Sequence, residues 1–376
     1  MMLRKRLNTL LVKPSGANCN LNCDYCFYLE KENLFRGQTF RMSDDILKEI
    51  ITQAMEQSGQ EINFLWQGGE PTLMGLDFFK KIVVLQKEFG KGKIIANGFQ
   101  TNGVLLNNEW ARFLYEQKFL VGLSLDGPKH IHDFYRKNKN GKGSWVGVYN
   151  NYFELKKNKV EVNILATVNN YSAHYPREIY SFFKNMNVDF IQFIPIFEKE
   201  GDKLEPFSVL PEDYGNFLVK IWELWLADFN RGKAPNIRTF EAIFANYLGL
   251  PSSECTFANE CGNYLVVEHN GDVFSCDYFV QPETKLGNIQ THSLDEMLNS
   301  AKQKEFGLRK RKKNSDCSAC KYYKFCYGGC PKYRFSKNGE SFNYHCNAYK
   351  IFFDKAHSFF LKMSEEWKIK NIREKK

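Results

Sequence analysis

A chain of 376 residues, 43% hydrophobic and 25% charged, reads as a globular protein with one large domain plus an appendage, or two domains. The net charge is +9, yet neither basic run, 308–313 or 368–376, is interleaved with stacking aromatics. They read as a solvated loop and a frayed tail, with no nucleic-acid partner expected. No apolar run reaches the ~20 residues of a membrane span, and no signal-peptide core follows the basic start, so a cytoplasmic protein without a membrane partner is expected.

The first strand candidate, 7–13, is an apolar run that stops at Pro14. Ser43 then stands before Asp44 and Asp45 and can cap a helix through about Ser58, the two acids favouring its N-terminal dipole. Further strands are expected at 62–67, 93–101, 120–125, 160–167 and 190–197. Helices are expected near 76–88, 107–117, 145–158 and 175–185. Six such alternations imply a parallel sheet, open or curved into a partial barrel. Residues 211–230 read as a long helix whose Tyr214, Phe217, Trp222 and Trp225 serve packing. After about residue 250 the chain turns to short strands and cysteines. Residues 264–279, broken at Asn270-Gly271, predict a hairpin with a two-residue turn.

The distinctive residues follow the strands. Cys19, Cys23 and Cys26 stand in C-x3-C-x2-C spacing just after the first strand. Three thiolates can hold three irons of a 4Fe–4S cluster and leave the fourth open to a small molecule. Gln67-Gly68-Gly69-Glu70-Pro71 ends the second strand, Gln100-Thr101-Asn102-Gly103 the third, and Ser124-Leu125-Asp126-Gly127-Pro128 the fourth. In barrels of this kind active sites collect where the strands end. His130 and His132 flank the last of these turns and read as polar loop residues.

Eight more cysteines follow: Cys255, Cys261, Cys276, Cys317, Cys320, Cys326, Cys330 and Cys346. Eleven is an odd count, and cytoplasmic thiols serve better as metal ligands than as disulfides. Four-cysteine sites suit zinc as well as iron–sulfur clusters. One set of three and two sets of four would use every cysteine.

Taken together, Cys19-x3-Cys23-x2-Cys26 with Tyr25 before the last cysteine resembles the radical S-adenosylmethionine signature. The run from Cys261 to Cys346 resembles a SPASM extension, and the strand-end turns with Cys276-Asp277-Tyr278 resemble the anaerobic sulfatase-maturating enzymes. The resemblance implies an α/β fold, a partial (β/α)6 TIM-like barrel over 1–240. A SPASM domain of short strands, turns and helices would follow over 241–376 and hold two auxiliary clusters. It implies oxygen-independent oxidation of a Cys or Ser in a sulfatase to Cα-formylglycine, through a 5′-deoxyadenosyl radical from reductive cleavage of S-adenosylmethionine. The cofactors implied are S-adenosylmethionine and three 4Fe–4S clusters. The partners implied are a sulfatase polypeptide with a Cys- or Ser-x-Pro-x-Arg core and a reduced flavodoxin- or ferredoxin-like electron donor.

By the same resemblance Cys19, Cys23 and Cys26 hold the first cluster. Cys255, Cys261, Cys276 and Cys330 hold one auxiliary cluster, and Cys317, Cys320, Cys326 and Cys346 the other; spacing alone would place Cys330 with its three neighbours. Gly68, Gly69 and Glu70 meet the cofactor, together with Tyr28, Gln67, Ser124 and Arg136, whose guanidinium fork suits a carboxylate. Asp277 matches the general base. Two other readings stand beside this one: a radical maturase of a ribosomal peptide, and an iron–sulfur electron carrier. Many peptide maturases carry a gripping domain before the first strand, for which a strand beginning near Leu7 leaves no room. An electron carrier needs no open iron.

Overall fold

The computed structural model describes residues 4–373; the first and last three residues, parts of the basic start and tail, lie outside the described residues. Strands and helices alternate from the outset: β1 (Leu7–Lys13), α1 (Asp44–Gln57), β2 (Ser58–Trp66), α2 (Leu76–Phe89), β3 (Ile94–Thr101) and α3 (Asn108–Glu116). Then come β4 (Phe119–Ser124), α4 (Lys129–Tyr135), α5 (Trp145–Lys157), β5 (Val162–Val168), α6 (Pro176–Asn185) and β6 (Phe190–Pro195). The α/β alternation expected from the chain is the one observed. Next are α7 (Pro211–Phe229), β7 (Asn236–Ile237), α8 (Arg238–Leu248), β8 (Leu265–Glu268), β9 (Asp272–Phe274) and β10 (Lys285–Asn288), and the last long helix is α9 (Cys346–Arg373).

The chain divides into two compact units, neither continuous in sequence. The first comprises Met1–Leu125, His132–Ile164 and Gly262–Gly307; the second comprises Asp126–Ile131, Leu165–Cys261 and Leu308–Lys376. In the first unit β1 pairs in parallel with β2, β2 with β3, and β3 with β4. On its other side β1 pairs in parallel with β8, which continues antiparallel into β9 and β10. This register places Lys13 opposite Glu268 and Val12 opposite Trp66, with the Gln67 amide donating to the Val12 carbonyl at 3.0 Å. Lys13, Gln67 and Glu268 thus lie in one row across the strand ends.

Local signals explain these elements. The Ser43 hydroxyl accepts from the Ile46 amide at 3.3 Å, and α1 buries Leu47, Ile50, Ile51 and Ala54, one face at helical spacing. Between the sheet and its helices Trp66 stacks on Phe64, and Phe79 meets Phe99 edge-on at 5.0 Å. Phe79, fully buried, contributes roughly 2–3 kcal/mol. A buried polar group there is well bonded: Asn97 accepts from Trp66 Nε1 at 2.9 Å and exchanges amide bonds with Gln86.

In the second unit α7 buries Tyr214, Phe217 and Trp222, as expected of packing residues. The Trp222 ring meets Phe240 of α8 and Phe352 and Phe360 of α9. Gly215 lets α9 approach, since a Cβ there would press on Ala348 and Ile351.

Four expectations are corrected. The β8–β9 connection is a three-residue loop: the Gly271 amide donates to Glu268 O at 2.9 Å, and Gly271 takes the positive φ (83°) while Asn270 does not. A two-residue turn of the Asn-Gly kind needs positive φ at both. His130 and His132 lie on α4, not in a loop; His132 is buried and its Nε2 pairs with Ser144 Oγ at 2.9 Å. The run 308–313 is not wholly solvated, because Lys310 is buried. The tail is not frayed over its described part: α9 runs on through Arg373, although residues 365–370 are all exposed. No helix among the described residues is long and apolar enough to cross a membrane.

Candidate active site

β1 ends at Lys13, and Pro14 halts the strand, so the chain enters the cysteine loop at the carboxyl edge of the sheet. A turn closes Cys23 to Cys26, with the Cys26 amide on the Cys23 carbonyl at 3.0 Å. The Leu21 amide points at Cys19 Sγ (3.4 Å), as does the side-chain amide of Asn102 (3.7 Å), which also donates to Asn20 Oδ1 at 2.7 Å. Burial pushes the Cys19 thiol up to about 11. The loop is fastened on its far side, where Asn22 N donates to Lys137 O at 2.8 Å and Asp24 N to Tyr135 O at 3.3 Å. That bonding brings in Arg136, buried, with its guanidinium carbon 5.5 Å from the Tyr25 ring centre. The soft thiol sulfurs of the loop fit an iron–sulfur cluster with one iron left without a protein ligand.

Gly68 and Gly69 are required by the cysteine loop itself. Gly69 N donates to Gly16 O at 2.7 Å, and a Cβ on Gly69 would collide with the backbone of Ala17 and Asn18. Gly68 sits at φ 136°. Glu70 is fully buried and accepts four hydrogen bonds: Thr72 N (3.0 Å), Thr72 Oγ1 (2.7 Å), Thr101 Oγ1 (2.7 Å) and Asn102 N (2.7 Å). It ties the turn after β2 to the turn after β3, and burial raises its pKa against the pull of those donors. Glu70→Ala strands four buried donors and is expected to cost about 3 kcal/mol or more. Thermal unfolding would show the loss, and an unchanged midpoint would refute it.

Asp277 opens a short 3-10 turn after β9. Its carboxylate pairs with Lys13 Nζ through Oδ1 and accepts from Gln67 Nε2 at 3.2 Å through Oδ2. Lys13 is buried, and its ammonium stands 3.3 Å from the Tyr28 ring centre. The Tyr28 hydroxyl donates to Glu268 Oε1, and burial, with the Glu268 charge next, holds the phenol well above its usual range. Phe27 packs on Tyr278 at 4.9 Å beside this group. The structure thus gathers Tyr28, Gln67 and Asp277 around a cation. Ser124 is buried at the end of β4.

Sequence reasoning passed over Lys13 and Glu268. Each is a charged residue directly after a run of three apolar residues at a strand's end, and that was the available signal.

In the second unit Cys317, Cys320, Cys326 and Cys346 line one cavity of about 50 Å³. Burial pushes the Cys326 thiol up to about 12. The Lys310 ammonium donates to the Cys255 carbonyl, and Cys261, Cys330 and Cys255 are near enough to act on its charge. Cys276 belongs to the first unit, where its Sγ lies 3.4 Å from the Tyr264 hydroxyl. These all-thiol donor sets fit iron–sulfur clusters.

Comparison with known proteins agrees with this chemistry. The Radical SAM superfamily model matches residues 14–183, and the SPASM iron–sulfur cluster-binding domain matches 255–321. A serine-type anaerobic sulfatase-maturating enzyme of Bacteroides thetaiotaomicron is 43% identical over 366 residues, 92% of this chain and 88% of that protein. A cysteine-type enzyme of Clostridium perfringens is 38% identical over 356 residues, 93% of this chain and 96% of its own. The solved structure of anSMEcpe with bound AdoMet and Cp18Cys peptide superposes with a TM-score of 0.88 at 37% identity, covering 95% of this chain and 99% of that one. Streptococcus suis SuiB bound to S-adenosylmethionine, at 17% identity and a TM-score of 0.60, shares the fold. With identity sustained along nearly the whole chain, the chain belongs to the anaerobic sulfatase-maturating enzymes of the radical S-adenosylmethionine superfamily.

Proposed function

We propose that this protein oxidises a Cys or Ser of a sulfatase polypeptide to Cα-formylglycine without oxygen. The observation that carries the proposal is the Asp277 carboxylate held between Lys13 and Gln67 at the strand ends, in the unit that also holds the cysteine loop. The core is taken as 1–240 and the SPASM part as 241–376; the family-model matches fall within these stretches.

Cys19, Cys23 and Cys26 would hold the first cluster. S-adenosylmethionine would lie near Gln67, Gly68, Gly69, Glu70, Ser124, Tyr28 and Arg136. Cys255, Cys261, Cys276 and Cys330 would hold one auxiliary cluster, and Cys317, Cys320, Cys326 and Cys346 the other. When bound, these groups supply hydrogen-atom abstraction from the target Cβ and uptake of the remaining electron.

The chain's own part is acid–base chemistry and shelter. Asp277 takes the proton from the target Oγ or Sγ, within hydrogen-bond reach of it. Lys13 and Gln67 each occupy one carboxylate oxygen, fix its orientation, and leave further lone pairs for the substrate. The rings of Phe27, Tyr28 and Tyr278 exclude water from the reacting carbon. Arg136 supplies a fork for the carboxylate of the cofactor. The electron donor proposed is a reduced flavodoxin- or ferredoxin-like protein in the cytoplasm; the net charge of +9 favours such acidic partners.

The test is anaerobic reconstitution with iron, sulfide, S-adenosylmethionine and reductant, offering peptides with a Cys-x-Pro-x-Arg or a Ser-x-Pro-x-Arg core. The expected result is 5′-deoxyadenosine together with the mass loss of aldehyde formation on at least one peptide. Deoxyadenosine with neither aldehyde would overturn the proposal.

A further inference from the structure

The second unit holds a buried lysine that the reaction above does not use. Lys310 lies in the 3-10 turn Arg309–Arg311 and is 1% exposed, while Arg309, Arg311, Lys312 and Lys313 are exposed. Lysine is almost never fully buried without a partner. Its ammonium donates to the Cys255 carbonyl and, at 2.7 Å, to the Thr256 carbonyl. The charged groups near enough to act on it are Cys261, Cys330 and Cys255, which as thiolates favour the ammonium, and the Arg334 guanidinium, which opposes it. Arg334 in turn pins the turn by donating to Arg309 O at 3.1 Å and Lys310 O at 3.0 Å. Two carbonyls take two of the three N–H bonds of the ammonium but do not neutralise it. Among the facing groups only the three cysteines, as thiolates, carry the opposite charge.

We propose that Lys310 is the built-in countercharge of the auxiliary cluster held through Cys255, Cys261 and Cys330, and that it raises that cluster's reduction potential. The inference rests on the ligand assignment made above. Reduction adds a negative charge to a set that is already anionic, beside a cation that is itself buried. A fixed cation favours the reduced form more than the oxidised one, so it makes the cluster a better acceptor for the electron left on the substrate.

Three proteins decide the matter: wild type, Lys310→Gln and Lys310→Arg. Gln keeps an N–H donor for the carbonyls without charge, and Arg keeps the charge. Each is measured for iron per chain and for auxiliary-cluster potential, by redox titration followed by EPR. Lys310→Gln is expected to shift the redox equilibrium at least tenfold toward the oxidised cluster, a fall of 59 mV for a one-electron couple. Lys310→Arg should stay near wild type. A cluster that assembles with Arg but not with Gln also supports the countercharge. A wild-type potential in Lys310→Gln, equal shifts in both variants, or a cluster lost from both, would overturn it. Wild-type protein lacking a third cluster would overturn the ligand assignment, and this inference with it.

Discussion

Asp277→Asn is expected to cleave S-adenosylmethionine at the wild-type rate while forming roughly 10²–10⁴-fold less formylglycine. The carboxylate sits between two donors, Lys13 Nζ and Gln67 Nε2. An amide of the same size retains one oxygen acceptor, but its NH2 must face one of those donors, and it has no basic oxygen for the substrate proton. The cysteine loop is fastened by Asn102 and by the backbone of 135–137, not by Asp277, so the loop that would hold the first cluster is left intact, and the amide oxygen can still accept from Gln67. Quantifying deoxyadenosine and aldehyde in the same reaction checks this. Full aldehyde yield from the variant would remove Asp277 from the proton transfer.

Lys13→Met should lower aldehyde yield at least tenfold and destabilise the protein by about 3 kcal/mol. Removing one member of a buried ion pair costs roughly 3–5 kcal/mol, because the other charge stays behind. The lower end applies because the Asp277 side chain retains 18% of its exposure, so water screens part of its charge. Tyr28 also loses the ammonium at 3.3 Å from its ring. Urea unfolding and aldehyde yield measured on one preparation test both halves. Wild-type values for both would show that the pair neither holds the fold nor orients the carboxylate.

Much of the first unit was legible in the chain. β1 is Leu7–Lys13 as expected, and Ser43 and Asn107 cap α1 and α3. Apolar runs cut by Pro and Gly, and caps that satisfy their own helix, are local physics, which sequence carries directly. The cysteine spacing and the turns after β2, β3 and β4 were legible for the same reason. Less legible was the structural part of Glu70, which is bonded on four sides by the two neighbouring turns. Its partners lie up to 32 residues away, and only the parallel pairing of β2 with β3 brings them near. The helical tail was missed because residues 365–370 are exposed on every side and carry no apolar stripe of their own. The helix is anchored earlier, where Tyr349, Phe352, Phe353 and Phe360 are buried and Phe352 meets Trp222 of α7, and the tail extends it.

By itself the sequence carried the signs of the chemistry: three cysteines in C-x3-C-x2-C spacing, eight more late in the chain, Gly-rich turns at strand ends, and an Asp beside a late cysteine. These features depend on residue type and on neighbours a few positions away. Tertiary structure alone decided that residues 262–307 fold with the first unit, where β8 pairs with β1 and sets Glu268 opposite Lys13. That pairing joins Asp277 to a lysine 264 positions earlier. It also decided that Lys310, one cation in a basic run, is buried against Cys255. In each case the deciding term is the desolvation of a charge, which depends on what is packed around it and so cannot be read from its neighbours in the chain.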